Sequence, residues 1–187
     1  MKFHNRPNEC VILEDGREIW LARDIAVAVT ILAVCDNQPY VLVNQRGPGV
    51  PNFQGYWNLP CGYLDYDETT QEAGIREVWE ECGVNILPLL ENCHVQFFDQ
   101  PWDVHSIPGG TKQNVTIHHG FAVTLAELPT VSNKNNEPNE TLDIRWLRLN
   151  EVAPLDFAFD HKPRIARFIE KVAGTTGLDF KEHVNWS

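Results

Sequence analysis

The sequence predicts an α/β fold: an α/β/α sandwich built around a mixed β-sheet. Two observations lead there. Strand-like segments lie both before and after one strong amphipathic helix, and a second amphipathic helix follows the last of them. The chain has 187 residues, 43% hydrophobic and 22% charged, an ordinary composition for a soluble globular domain. A domain of this size buries about 70% of the surface its unfolded chain exposes, so it needs no staples.

The elements follow in order. Val11–Leu13 and Ile19–Leu21 flank Asp15-Gly16, which predicts a β-hairpin. Ala26 to Val34 is rich in β-branched residues and predicts a central strand. Asn37-Gln38-Pro39 reads as a turn, and Tyr40 to Gln45 as the partner strand. Gly47 to Gly55, with its Pro and Gly residues, reads as a loop, and Tyr56 to Leu59 as a short strand. Thr69 to Cys82 is the strongest helix: Thr69 with Glu72 forms a capping-box pattern and Gly83 supplies the stop. Val95 to Phe98 reads as a strand, Asp99 to Asn114 as a loop, and Val115 to Leu125 as a long alternating strand. Pro129 to Pro138 reads as a polar, mobile loop and Leu142 to Leu147 as a strand. Pro163 to Val172 reads as an amphipathic helix, with Pro163 near its start and Gly174 past its end. This divides the chain into an N-terminal hairpin extension (1–24), a main domain (25–174) and a C-terminal tail (175–187).

Lys and Arg number 15 against 26 Asp and Glu, a formal charge of −11. That balance argues against nucleic acid as a partner, since phosphate-backbone binding needs a field of Lys and Arg. It also argues against an anionic membrane surface, and no apolar run approaches the roughly 20 residues of a membrane span. Five cysteines without a CxxC pair predict reduced thiols, a cytoplasmic location and no zinc ribbon. Acidity does not exclude a phosphate-bearing substrate, because carboxylates can hold the divalent cations that hold phosphates.

The acids are not spread evenly. Gly62 to Val84 contains seven of them (Asp65, Asp67, Glu68, Glu72, Glu77, Glu80, Glu81) and one base, Arg76. At about 100° per residue, Ile75, Val78, Trp79 and Cys82 share one arc, which predicts the core face. Glu77, Glu80 and Glu81 fall together on the opposite side, where three like charges repel. A solvated acidic face is one reading of that pattern. A site for hard divalent cations is the other.

The neighbouring residues favour the second. Gly62, Glu68, Arg76, Glu77, Val78, Glu80, Glu81, Gly83 and Val84 spell G-x5-E-x7-R-E-U-x-E-E-x-G-U, with U aliphatic. This resembles the Nudix box, the signature of the Nudix hydrolase family, at every specified position. Seven positions demand one residue type, so a chance match is of order one in a billion per start position. Tyr56 to Gly62 resembles the family's W-x-x-P-G-G approach, with Cys61 in place of the first Gly of that pair. Gln45-Arg46, Trp146-Leu147 and Phe157 to His161 are similar to further family segments.

The resemblance implies a Nudix-type sandwich and a metal-dependent hydrolase that cleaves the diphosphate linkage of a nucleoside diphosphate derivative. It implies Glu80 and Glu81 as ligands of Mg2+ or Mn2+, Glu77 as ligand or metal organiser, and the Gly62 carbonyl as a further ligand. Glu68 and Arg76 are expected to pair and support the site. The general base is Glu77 or a late-loop acid, Glu137 or Glu140, with Glu140 preferred. Arg46 and Trp102 are the candidate substrate contacts. His118 and His119 alternate on a strand, so they cannot share one metal, and one buried plus one exposed histidine is expected.

The substrate is less sharply marked. ADP-ribose or a related ADP-sugar, releasing AMP and a phosphorylated product, is the leading reading. NADH, coenzyme A, nucleoside triphosphates and dinucleoside polyphosphates are alternatives, the first through a partial likeness of Gln100-Pro101-Trp102 to an array in NADH-cleaving members. A non-catalytic nucleotide-sensing module and an RNA-decapping enzyme are the rival classes. The N-terminal hairpin, of a kind that often supports dimerisation in the family, points to a homodimer.

Overall fold

The computed structural model describes residues 9–21, 25–109, 112–137, 139–178 and 180. Its centre is an eight-stranded mixed sheet. Strand β3 (Ile25–Cys35) is buried along most of its length and pairs with β4 (Gln38–Arg46) antiparallel and with β9 (Lys112–Thr124) parallel. Outside these lie β10 (Thr141–Arg148) on β4 and β7 (Val95–Gln96) on β9. Short strands β5 (Trp57–Asn58) and β6 (Cys61–Tyr63) pair with β4 and β3. A separate two-stranded sheet joins β1 (Glu9–Ile12) to β2 (Glu18–Leu21), so the predicted hairpin forms, while residues 1–8 and 22–24 of that extension lie outside the described residues.

The period-2 alternation of the central strands explains the layering. Leu32, Val41, Val43 and Ala122 point to one face, under Ile165, Phe168, Ile169 and Val172 of helix α3 (His161–Thr176). Val29, Ile31, Leu42, Phe121 and Val123 point to the other, under Val78 and Cys82 of helix α1 (Thr70–Cys82) and beside the short helix α2 (Leu87–Leu90). The sheet is therefore covered on both faces, as an α/β/α sandwich requires. Gly120 on β9 lets Phe168 approach: an added Cβ would lie 2.5 Å from the Thr30 carbonyl and 2.7 Å from Phe168 Cζ.

Several elements differ from the sequence reading, each for a physical reason. The β3–β4 turn is Asp36-Asn37, both at positive φ (49° and 57°), with Gln38 already in the strand. That is the conformation a two-residue hairpin favours, and Asp and Asn tolerate it. The stretch read as a loop from Asp99 holds strand β8 (Asp103–Gly109), which pairs with β9 along its whole length. Its Pro108 and Gly109 sit at the turn end of that hairpin and mask an alternating strand. Helix α3 runs through Gly174 and stops at Gly177 (φ 74°). Phe180, assigned to a tail, is buried in the core beneath it, while 181–187 lie outside the described residues. No helix among the described residues is long and apolar enough to cross a membrane.

Candidate active site

Helix α1 starts where the capping box places it. Thr69 accepts from the Glu72 N–H, Glu72 accepts from the Thr69 N–H at 2.8 Å, and Gly83 ends the helix at φ 68°. Its buried side is wider than one apolar stripe. Ala73, Gly74, Arg76, Glu77, Val78 and Cys82 are all buried, while Trp79, read as core, is 37% exposed. The reason is β6, which packs against the helix on its carboxylate side. The acidic face therefore adjoins the core rather than opposing it, and Glu77 is only 7% exposed.

Arg76 organises this face. Its Nη2 donates to Glu68 Oε1 (2.7 Å) and to the Tyr63 carbonyl (2.9 Å), and its Nε donates to Glu68 Oε2 (3.0 Å). Its Nη1 donates to Glu77 Oε1 (2.6 Å) and Glu80 Oε2 (3.0 Å). The bidentate Glu68 pair joins the β6–α1 loop to the helix. Burial works against the guanidinium's charge, but Glu68 and Glu77 outweigh it and hold its pKa above the usual arginine value. Glu81 is fixed from the other direction, accepting from the Cys61 N–H at 2.9 Å.

The remaining acids lie in one electrostatic neighbourhood. Burial pushes Glu77 up to about 7; Arg76 opposes this, and Glu80 and Glu140 add to it. Glu81 is raised well above the ordinary range by burial, then by Glu77 and Glu140, against the Cys61 N–H and Arg46. Glu80 is raised by burial with help from Glu68 and Glu137, against Arg76. Glu140 is raised by burial and by Glu137 and Glu80, and lowered by Arg46. Its carbonyl accepts from the Gly47 N–H at 2.6 Å, which seats the late loop on the end of β4.

These residues fit a hard divalent cation. The donor set is all oxygen, and its charges are close, partly or fully buried and mutually destabilising, a state a dication relieves. The chain also leaves room beside Gly62, where an added Cβ would overlap the Glu77 carboxylate. Arg46 stacks over Phe159 (4.8 Å), donates from Nε to the Asn52 carbonyl (3.0 Å), and makes no ion pair among the described residues. Phe53 packs edge-on against Phe159 and Tyr56, and all three rings are exposed. Phe53 and Phe159 hold positive φ (55° and 54°), a conformation that costs a bulky residue of order 1–3 kcal/mol.

Other expected residues fall elsewhere. The Trp102 indole N–H donates to the His119 carbonyl (3.2 Å), and its ring packs on His118 and Phe168. That ring is committed to the core under α3, so of the two expected substrate contacts only Arg46 acts electrostatically on the carboxylates. His118 and His119 do face opposite sides, but both are fully buried, because β9 is covered on both faces. The late loop is pinned to α1: Asn135 Nδ2 donates to the Trp79 carbonyl, Asn136 Nδ2 to that of Glu81, and the Ser132 N–H to that of Cys82. These cap the carbonyls at the helix end. The aromatic group around Arg46, the Cys61 N–H and the two Asn caps escaped the sequence reading; only the Tyr56–Gly62 and Phe157–His161 segments pointed towards them.

Comparison with known proteins agrees with this geometry. A family model described as the NUDIX domain matches residues 24–168. A curated m7GpppN-mRNA hydrolase, NUDT17 of Danio rerio, is 35% identical over 68 residues, 36% of this chain and 22% of the relative. The chain thus spans about a fifth of that relative's length. Among solved structures, the NUDIX domain of Shewanella oneidensis NrtR in complex with ADP ribose aligns with a TM-score of 0.59 and 21% identity, covering 81% of this chain and 89% of that one. A bifunctional NMN adenylyltransferase/ADP ribose pyrophosphatase from Francisella tularensis, complexed with AMP and a Mn ion, aligns with a TM-score of 0.63 and 21% identity, covering 80% and 42%. At these identities the structural likeness establishes the fold. The family match spans most of the sequence and contains the whole carboxylate helix: the chain belongs to the Nudix hydrolase family.

Proposed function

We propose that the protein hydrolyses the diphosphate linkage of a nucleoside diphosphate derivative, ADP-ribose or a related ADP-sugar, to AMP and a phosphorylated product. The observation that carries this reading is the cluster of buried Glu77 with the partly buried Glu80 and Glu81 beside Gly62, held by Arg76 and with Arg46 near Glu81. Glu80, Glu81 and the Gly62 carbonyl would hold Mg2+ or Mn2+, with Glu77 as ligand or organiser. When bound, the cation polarises phosphoryl oxygens and lowers the pKa of a bound water.

The chain's own residues do the rest. Glu68 and Arg76 fix the carboxylates, so little reorganisation is needed at the moment of reaction. Arg46 meets the substrate's diphosphate, since its guanidinium lacks a carboxylate partner among the described residues and lies near Glu81 and Glu140. Glu140, whose raised pKa suits a base, takes the proton of the attacking water. The faces of Phe53, Tyr56 and Phe159 offer the base a stacking surface beside Arg46. The choice of ADP-ribose is supported by one structural neighbour in complex with ADP ribose and by another named as an ADP ribose pyrophosphatase, in complex with AMP.

A second reading, mRNA decapping, draws on the curated relative named as an m7GpppN-mRNA hydrolase. The net charge of −11 weighs against it. A homodimer is also proposed: Val11 (43%) and Ile19 (45%) are exposed cross-strand partners on the β1–β2 hairpin. The deciding experiment is a panel of ADP-ribose, ADP-sugars, NADH, coenzyme A, nucleoside triphosphates, dinucleoside polyphosphates and capped RNA, with Mg2+ or Mn2+. AMP release fastest from ADP-ribose or an ADP-sugar supports the proposal. Faster cleavage of capped RNA would overturn it, and binding without cleavage would make the protein a nucleotide sensor.

A further inference from the structure

A second group of ligating side chains lies under α3, built by β8 and β9. Asp103 is the cross-strand partner of His118, and His105 is opposite Thr116, two residues along. All three side chains therefore leave the same face of the hairpin. One ligand atom from each lies within 4.8 Å of the others. His105 and His118 are stacked, with ring centroids 5.0 Å apart and planes 18° apart.

His118 is fully buried, and among the described residues neither of its ring nitrogens has a hydrogen-bond partner. Among the same residues His105 Nδ1 is buried without a hydrogen bond as well, with Asp103 Oδ2 at 3.8 Å. A buried polar atom without a partner costs about 1–3 kcal/mol, and native interiors rarely leave one. An imidazole with both nitrogens orphaned, its ligand atom within 4.8 Å of those of a second imidazole and a carboxylate, calls for a ligand. Burial, reinforced by His161, His105, Arg164 and Arg167, keeps the His118 ring neutral, which is the form that binds metal.

We propose that Asp103, His105 and His118 form a binding site for a transition-metal cation, zinc by its donor chemistry, separate from the carboxylate helix. Two imidazole nitrogens and one carboxylate suit Zn2+, whereas the oxygen-only set on α1 suits Mg2+ or Mn2+. In a tetrahedral site the ligand atoms stand about 3.3 Å apart, so the three side chains close in from their present spacing. His105 and Asp103, both only partly buried, can make that movement. The ion would tie the β8–β9 hairpin together beneath α3. Arg164 Nη1 already contacts Asp103, and Arg167 Nη2 lies 3.6 Å from Asp103 Oδ1. These cations compete with the ion for the carboxylate and limit its affinity.

The test uses the full chain, stripped with a chelator and then titrated with Zn2+ in a large excess of Mg2+, which occupies the oxygen site. Calorimetry and metal analysis should give one zinc per chain, and Co2+ should give the intense visible bands of a tetrahedral site. His105→Ala and Asp103→Asn, at partly exposed positions, should each weaken zinc binding at least tenfold. Arg167→Ala should tighten it severalfold, and Glu81→Gln should leave it unchanged. His118→Ala should abolish it, and if that variant fails to fold, His105→Ala and Asp103→Asn still decide. No zinc bound in the presence of Mg2+, or zinc binding unchanged in His105→Ala and Asp103→Asn, overturns the proposal. Because the site shares no residue with the carboxylate helix, its failure leaves the proposed hydrolysis untouched.

Discussion

The Cβ that Gly62 lacks would overlap the Glu77 carboxylate, 2.5 Å from Oε2 and closer still to Oε1. A strand residue and a helix residue thus share one space, and glycine is what lets the carboxylate lie against the backbone. Gly62→Ala should displace Glu77 and with it the geometry of the whole acidic cluster. A shift of about 1 Å at a reacting centre costs roughly 100-fold in rate. Steady-state assays should find that loss in kcat, with circular dichroism unchanged.

The Glu68–Arg76 pair sits with side chains 12% and 9% exposed. Arg76 keeps Glu77 and Glu80 when the Glu68 charge is removed, so the loss is that of the charge-assisted hydrogen bonds to Glu68, about 1–3 kcal/mol. Glu68→Gln should lower the urea-unfolding free energy by an amount in that range and reduce activity in parallel. A stability loss under 1 kcal/mol would mean that the pair does not hold the β6–α1 loop.

The carboxylates predict opposite responses to pH with and without metal. The folded pKa of Glu77 lies at about 7, above the ordinary 4.5, because burial outweighs the help from Arg76. Its favourable contribution is complete below pH 4.5 and is lost as pH rises through 7. Glu81 is raised as well and acts in the same direction. A bound dication favours the ionised form and reverses that loss. Mg2+ at a hundredfold excess over its Kd should stabilise the fold by about 2.7 kcal/mol, a Tm rise of roughly 5–10 °C. At one fixed Mg2+ concentration the rise should be larger at pH 8 than at pH 6 by differential scanning fluorimetry, because the ionised carboxylates bind more tightly. Glu81→Gln without metal should be more stable than the unsubstituted protein and should lose most of the Mg2+ response.

His161 gives a slope of the other sign. The Leu59 N–H donates to its Nδ1 at 3.0 Å, so the folded ring is unprotonated at that atom. Burial first, then Arg46, Arg164 and His105, push its pKa down to about 3, from 6.5 when unfolded. The stability it contributes is present above pH 6.5 and is lost as pH falls towards 3. His161→Asn keeps an acceptor but cannot titrate. Between pH 6.5 and 4.5 it should lose about 1–3 kcal/mol less stability than the unsubstituted protein. His105, His118 and Glu140 titrate in both proteins and largely cancel in that difference. Equal pH slopes in urea unfolding would remove the role assigned to this ring.

What the sequence made legible is local in the chain. Thr69, Glu72 and Gly83 mark both ends of α1 because caps form between residues three or four apart. The Gly62–Glu68–Arg76 spacing and the Glu77, Glu80, Glu81 pattern belong to one loop and one helix, so the candidate metal site could be read before any tertiary structure. The burial of Glu77 could not, because β6 covers it, and a helical wheel contains no strand. The same holds for β8, whose pairing with β9 is a contact between segments, and for His118 and His119, whose burial depends on helices covering both faces of the sheet. Asn135 and Asn136 read as loop residues until the helix carbonyls they cap came within reach.

The central claim is that Glu77, Glu80 and Glu81 hold the cation that drives diphosphate hydrolysis. Its most direct test is the Mg2+-dependent rate of Glu81→Gln on the best substrate of the nucleotide panel, beside the unsubstituted protein. Removing one ligand takes several kcal/mol from transition-state stabilisation, so kcat should fall about 100- to 1000-fold while the fold stays intact. An undiminished rate in Glu81→Gln, or a rate in the unsubstituted protein that survives removal of all divalent metal, would contradict it.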